Sequence, residues 1–267
     1  MIPVVDASWS LRRGQCQWHH RGEAVIKRAF VAALLCLSMS SPGETADKVR
    51  IAYNSILPPF AEAKDGKAVG LVVDIVRAAA EHAGYDVEFL AVPLDQMEPA
   101  LLDGRAVAVI PSAASPERRE RMDFSDTLLM TGGALYVRAP ELTPASLQAL
   151  AGKTVVTPRA GPLAAFIQKN APQVKLVVTE DYETSLARVV GGEADAAALN
   201  YQAGASLAAR LYPGKLTVPR SMFLELPFGA AVLKGQHAEF LTRLNAGIGA
   251  IRADGTFDRI NKSWMGQ

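Results

Sequence analysis

Cysteine is scarce in this chain. The 267 residues include two cysteines, Cys16 and Cys36, and both precede the region in which strands and helices are predicted. Beyond residue 46 the chain therefore has neither a disulfide nor thiol chemistry available to it. This absence is compatible with an oxidising compartment.

An excess of charge of either sign is also missing. The chain has 28 Lys and Arg against 27 Asp and Glu, a formal net charge of +1. The composition thus offers no electrostatic case for binding nucleic acid or an acidic membrane surface. Only His82 and His237 follow residue 46, and no nucleophile-elbow motif accompanies them, which argues against a serine hydrolase. His19 and His20 are adjacent but have no cysteine or carboxylate cluster beside them, so neither a metal nor a cofactor is predicted.

Long apolar runs are missing apart from one short segment. The run Ala29–Leu37 is too short to span a bilayer. Lys27 and Arg28 precede it and small residues follow it, which is the order of a secretory signal peptide. We expect export to the periplasm, with cleavage between Ser38 and Lys48.

The first 46 residues are accordingly assigned to an N-terminal extension plus the signal peptide. Its hydrophobic region covers about residues 29–40. Residues 1–24 fit neither the signal nor the fold, and we hypothesise that translation begins near Val25.

Beyond residue 46, hydrophobic periodicity predicts strands and helices in alternation. The predicted helices include 94–102, Tyr182–Val190, Tyr201–Leu211 and Ala238–Ala253, and residues 54–60 are expected to form a loop because of their paired prolines. The order strand–helix–strand–helix–strand is typical of an α/β lobe with a parallel sheet, and it restarts in the second half of the chain. We expect two such lobes, each a mostly parallel sheet flanked by helices. Lobe 1 is assigned to 47–137 and 226–267, and lobe 2 to 138–225. Crossings near Arg138 and Glu225 would form a two-strand hinge, about which the lobes close on a small ligand.

One segment, Ser115–Asp126, combines helix capping with charge. Ser115 is placed to cap a helix that begins at Pro116. Arg118 then lies in the first turn, beside free backbone N–H groups at the positive end of the helix dipole. This arrangement suits a carboxylate or another anion. The alternative is a capped surface helix with a charged face.

The same segment resembles the Thr-Pro-Glu-Arg…Asp-Phe-Ser segment of the bacterial extracellular solute-binding proteins of family 3, the periplasmic amino-acid-binding family. The resemblance runs in order from about Val49 to Gly266. The other motifs that carry it are Leu57-Pro58-Pro59-Phe60, Asp65-Gly66-Lys67 with Gly70 and Asp74, Leu150-Ala151-Gly152-Lys153-Thr154-Val155, Gly192-Glu193-Ala194-Asp195-Ala196, Lys234-Gly235, Ala253-Asp254-Gly255-Thr256-Phe257 and Lys262-Ser263-Trp264.

The resemblance implies a type II periplasmic-binding fold and a monomer. It implies capture of a small carboxylate-bearing ligand, an amino acid or a related organic acid, for an ABC-type membrane permease. Two alternatives remain open. One is a periplasmic enzyme related to cyclohexadienyl dehydratase, with Glu183 or Glu225 as its acid. The other is a ligand-binding partner of a membrane sensor, which would have the same sequence features.

Carried over from the family, Arg118 holds the ligand carboxylate through a bidentate fork. Ser115, Ala113 and Asn54 complete the ligand-binding set on this side. In the second lobe the family usually offers a Gly-Ser/Thr-Thr turn, whereas this chain has Arg159-Ala160-Gly161-Pro162-Leu163. Gly161 and Pro162 predict a helix start whose N–H groups could bind an anion, and Arg159 could add charge.

The predicted pocket walls depart from the family pattern. Leu57, Leu71 and Leu94 stand where amino-acid-binding members commonly have aromatic residues, which removes cation–π attraction for an ammonium group. The alternative is that these leucines belong to the core. Asn200 stands where such members usually have an aspartate that pairs with the ligand α-ammonium. Because asparagine supplies no charge, we hypothesise a carboxylate ligand without an α-amino group, or an amino acid bound only weakly, unless a nearby acid substitutes.

Overall fold

The computed structural model describes residues 46–265. The predicted signal segment and the hypothesised start near Val25 lie outside the described residues. In chain order the elements are β1 (Asp47–Asn54), β2 (Ile56–Leu57), β3 (Ala61–Lys64), β4 (Lys67–Val69), α1 (Leu71–His82), β5 (Tyr85–Val92), α2 (Met97–Leu102), β6 (Ala108–Ala113), α3 (Pro116–Arg119), β7 (Met122–Phe124), β8 (Leu129–Arg138), β9 (Thr154–Pro158), α4 (Pro162–Asn170), β10 (Lys175–Thr179), α5 (Tyr182–Val190), β11 (Ala196–Asn200), α6 (Tyr201–Leu211), β12 (Leu216–Thr217), β13 (Leu224–Leu233), α7 (Ala238–Ala253) and α8 (Thr256–Met265).

A single sheet runs through both halves of the fold, in the order β10-β9-β11-β8-β13-β6-β1-β5. In lobe 1, strands β5, β1 and β6 are parallel, and in lobe 2 strands β10, β9 and β11 are parallel. Antiparallel pairing enters through β8 and β13, which run between the lobes. The predicted fold class, α/β with two mostly parallel lobes, is confirmed.

Strands β8 and β13 pass from one lobe to the other. Residues Leu129–Gly133 of β8 pair with Leu224–Phe228 of β13, whereas Gly133–Tyr136 pair with β11 of lobe 2. The change of partner therefore falls near Gly133 on β8. The lobe boundaries at 137/138 and 225/226 stay a prediction.

The core of each lobe lies on both faces of its sheet because strand side chains alternate. On β1, for example, Ile51 and Tyr53 pack with α1 and α7, while Ala52 packs with the α2 side. Helix α1 starts against the turn before it. A Cβ on Gly70, which has φ +137°, would lie 2.3 Å from the Phe60 carbonyl oxygen, so this close approach requires glycine.

Two local expectations differ from the structure, and one helix is found where none is expected. Asn54–Phe60, expected as a loop, contains β2, which joins β3 and β4 in a small separate sheet. The helix expected over Leu94–Leu102 is a short 3-10 turn, Leu94–Gln96, followed by α2. Pro99 explains this break, since its ring clashes with the carbonyl four residues earlier and excludes a longer α-helix. Helix α8 was not predicted, and its Trp264 Nε1 donates to Asp74 Oδ2 at 2.8 Å.

Among residues 46–265 no helix combines the length and apolar character needed to cross a membrane.

Candidate functional site

A small cavity lies between the lobes, beyond the carboxyl ends of β6, β9 and β11. Ligands of open α/β sheets bind at this edge. The cavity has a volume of about 50 Å³, and we call it the inner cavity. Most of its lining is apolar, and its polar side chains are Arg118, Thr157, Tyr182 and Asn200.

Arg118 is positioned by the helix start that the sequence predicts. Ser115 is the N-cap of α3 and its Oγ accepts from the Arg118 N–H at 3.4 Å, with Pro116 at the first helical position. The Arg118 guanidinium contacts both lobes. Its Nη1 donates to Ser112 Oγ of β6 at 3.5 Å, and its Nη2 donates to the Ala160 carbonyl of lobe 2 at 3.2 Å.

The charge of Arg118 has no carboxylate partner in the described part of the chain. Glu98, the acid whose charge acts on it most, is itself bonded by Arg121 at 2.9 and 3.2 Å. Burial lowers the pKa of Arg118, and Glu98 offsets part of that shift. A guanidinium nevertheless stays protonated in proteins. Because Arg118 is half-buried, its charge is partly withdrawn from water and gains from a partner, so this site favours an anion.

Asn200, the last residue of β11, is buried and its side chain is already bonded. Its Oδ1 accepts from the N–H groups of Gln202 and Ala203, both at 3.1 Å, and so caps α6. Its Nδ2 donates to Thr131 Oγ1 at 2.8 Å. The side-chain oxygen Oδ1, which an ammonium group would need as an acceptor, is thus already bonded to α6. Asn200 can still offer the cavity an N–H donor.

Tyr182 and Thr157 also line the inner cavity, although neither is predicted from the sequence as a site residue. Tyr182 is the first residue of α5 and packs against core clusters of both lobes. Burial raises the pKa of Tyr182 to about 12, against smaller opposing effects of the Asn200 backbone and the Arg118 charge, so the phenol is neutral at physiological pH. Thr157 donates its Oγ1 proton to the Ala198 carbonyl at 2.7 Å. Neither residue belongs to a local motif that could have marked it.

The predicted lobe 2 turn does reach the cavity. Gly161 is the N-cap of α4 without a side-chain cap, Pro162 is at the first helical position, and both line the inner cavity. The first N–H groups of an α-helix have no partner within the helix, and this helix start lines the same cavity as Arg118.

The remaining predicted residues divide into two groups. Leu57, Leu94 and Ala113 line the inner cavity, together with Arg118, Gly161, Pro162 and Asn200. Asn54, Leu71, Ser115 and Arg159 do not.

Each of these four has another position. Leu71, expected in the pocket wall, is 2% exposed and lies in the lobe 1 core, because it begins the buried face of α1. Asn54 is buried, and its Oδ1 accepts from the Ile56 N–H at 3.2 Å. Ser115 acts as the α3 cap, and Arg159 is exposed in a neighbouring cleft.

No carboxylate lines the inner cavity among the described residues. Glu183 and Glu225, which the enzyme alternative would need, are exposed. Asp181 caps α5 by accepting from the Thr184 N–H at 2.7 Å. The residues 46–265 also contain no group of three or more His, Cys, Asp or Glu that could hold a metal ion.

Two α/β lobes joined by a pair of crossing strands, with a charged cavity between them, define the type II periplasmic-binding-protein fold. The chain belongs to the bacterial extracellular solute-binding proteins, family 3, whose sequence pattern matches residues 49–267. The resemblance inferred from the motifs is thereby confirmed.

Individual relatives are distant in sequence. The chain is 26% identical to ABC transporter arginine-binding protein 1 of Escherichia coli (strain K12) over 249 residues, covering 91% of this chain and 100% of that protein. It is similar to the solved structure of an ancestral arginine-binding protein bound to arginine, with a TM-score of 0.74 and 27% identity, covering 82% of this chain and 99% of that one. It is also similar to a histidine kinase sensor domain, with a TM-score of 0.76 and 26% identity, covering 84% and 98% of the two chains.

Proposed function

We propose that this protein is a periplasmic solute-binding protein that captures a small carboxylate-bearing ligand, an amino acid or a related organic acid, for an ABC-type transporter. It acts as a monomer whose lobes, with the boundaries given above, close around the ligand without a covalent step. The observation that carries the proposal is Arg118, a half-buried guanidinium that contacts both lobes and has no carboxylate partner among the described residues. Relatives that bind arginine support the amino-acid part of this assignment.

Within this class, a ligand without an α-amino group is favoured. The described lining of the inner cavity contains no carboxylate to pair with an ammonium group. The side-chain oxygen of Asn200, Oδ1, already accepts hydrogen bonds from two backbone N–H groups. An unpaired ammonium buried there would pay the full cost of its desolvation. A carboxylate meets Arg118, the Tyr182 hydroxyl and the N–H groups at the start of α4.

Arg118→Ala tests the carboxylate clamp. Ligands would first be found by thermal shift over amino acids and organic acids, since binding to the folded state raises Tm. Calorimetry should then show a loss of about 2–5 kcal/mol in Arg118→Ala, because the ligand charge is left unpaired. Arg119→Ala is the matched control: it lies on the same helix but is exposed, with its guanidinium over the Phe124 ring. Equal affinities in the two variants would refute the clamp.

Matched amino and deamino acids test the second step. The wild type should bind a 2-deamino acid more tightly than its amino counterpart, and Asn200→Asp should shift the ratio toward the amino acid by adding a counter-ion. Tight wild-type binding of the amino acid, with its deamino analogue ignored, would exclude the hypothesis.

Export and the receiving membrane protein are separate parts of the proposal. N-terminal sequencing of periplasmic material should begin between Ser38 and Lys48, and a retained Met1 would contradict export.

The likeness to a histidine kinase sensor domain favours a sensor as the second candidate recipient. Uptake of labelled ligand by cells with and without the protein separates the two, since a sensor partner leaves uptake unchanged.

A further inference from the structure

With the lobes as they stand in this structure, the inner cavity has a volume of about 50 Å³, enough for a carboxylate group but not for a long side chain as well. A second cleft of about 770 Å³ adjoins it, and we call it the outer cleft. Leu94, Pro111 and Arg118 line both, so the two spaces meet at the guanidinium.

Lobe 2 lines the outer cleft mainly with charged side chains, whereas lobe 1 lines it mainly with apolar ones. Lobe 1 contributes an apolar wall that includes Ile56, Leu94, Met97 and Leu102. Two of these side chains are unusually exposed for their type, Ile56 at 39% and Leu102 at 66%. An apolar surface that continues from a ligand site favours an apolar ligand part.

The charged groups of the outer cleft do not form a cation site. Glu98 is bonded to Arg121, and Asp181 accepts from the Thr184 N–H. Asp95 and Glu180 are exposed to solvent, where their charges are screened. The basic Arg118 and Arg159 face the same cleft. The apolar wall of lobe 1 is therefore the surface that can gain most from a ligand.

We propose that the ligand is a carboxylate with an unbranched aliphatic tail, whose carboxylate lies in the inner cavity on Arg118 and whose tail passes Leu94 and Pro111 into the outer cleft. This inference rests on the proposed function and names the chemical class of its ligand. It also accounts for the leucine at position 94, since an aliphatic tail that passes it needs no aromatic face.

The test is calorimetric titration with butanoate, hexanoate and octanoate. If each added methylene is at least half buried on the apolar wall, affinity should rise about twofold to fourfold per methylene. Leu102→Ser should reduce this gain for the longer acids. Leu142→Ser is the matched control, because Leu142 is 88% exposed and is not part of either cavity. Both side chains are exposed, so neither variant endangers folding.

The outcomes separate this inference from the proposed function. Equal affinity for butanoate and octanoate, or equal effects of the two leucine variants, overturns the aliphatic tail. Tighter binding of 8-aminooctanoate than of octanoate also overturns the aliphatic tail, because the ligand end in the outer cleft would then be cationic rather than apolar. If no alkanoate binds while another carboxylate binds in an Arg118-dependent way, this inference fails and the proposed function stands. If Arg118→Ala changes the affinity of no ligand, the proposed function itself fails.

Discussion

Replacing Asn200 by alanine should cost measurable stability, because its side chain makes three hydrogen bonds. Two are cap bonds from Gln202 and Ala203 N–H, both at 3.1 Å, and loss of a cap costs about 0.5–2 kcal/mol. The third, to Thr131 Oγ1 at 2.8 Å, contributes about 0.5–1.5 kcal/mol. We therefore expect Asn200→Ala to lower the free energy of unfolding by roughly 1–3.5 kcal/mol, a fall in Tm of about 2–14 °C for a protein of this size.

The assay is urea unfolding of the mature protein, followed by circular dichroism. Asn200→Ser is the matched control, because serine caps a helix as well as asparagine does but lacks the amide donor to Thr131. It should recover the cap part of the loss. An Asn200→Ala variant within about 0.5 kcal/mol of the wild type would show that Oδ1 is not committed to the cap. The argument that it is unavailable to an ammonium group would then fail as well.

Three further predictions concern the crossing strands, the contact between lobes and the acid limit of stability. Gly132→Ala should prevent stable folding, since its Cβ would lie 1.8 Å from the Leu224 carbonyl oxygen, whereas Gly249→Ala, with nothing within 4 Å, should fold normally in the same thermal scan. Glu62 and Arg210 form an ion pair between the lobes with 28% and 44% exposed side chains, so Arg210→Gln should weaken ligand affinity by less than about fivefold, and titration in 1 M salt should abolish the difference. The Thr154 N–H, with Lys153, holds the pKa of Asp195 below its ordinary 3.8, so its stabilisation is present above pH 3.8 and is lost as pH falls through the lower folded value. Asp195→Asn should therefore be less stable than the wild type at neutral pH, and the gap measured by urea unfolding should close in acid.

The parts of the fold that are set by residues close together in the sequence are predictable. The helices Tyr182–Val190, Tyr201–Leu211 and Ala238–Ala253 have the bounds that periodicity predicts. Ser115 and Pro116 place Arg118 because capping acts over three residues, which a sequence shows directly.

The walls of the cavity were less predictable, because they depend on how the lobes pack. Leu57 and Leu71 were both expected in the pocket, yet one lines it and the other lies in the core. Tyr182 begins a correctly predicted helix, but only the contact between lobes brings its phenol to Arg118. Composition and spacing carry no signal for such positions.

The bonding of Arg118 explains how an anion could favour the closed arrangement. Of its five N–H donors, two hydrogen bonds are made within the protein, one to each lobe, so about three donors remain for a ligand. A carboxylate can therefore bind without displacing the Ala160 carbonyl that joins the lobes. A ligand shifts a conformational equilibrium only by binding one form more tightly. The N–H groups at the start of α4 belong to lobe 2 and Arg118 belongs to lobe 1, so a carboxylate meets both only when the lobes are together. The free energy of that second contact is what drives closure in the proposed mechanism.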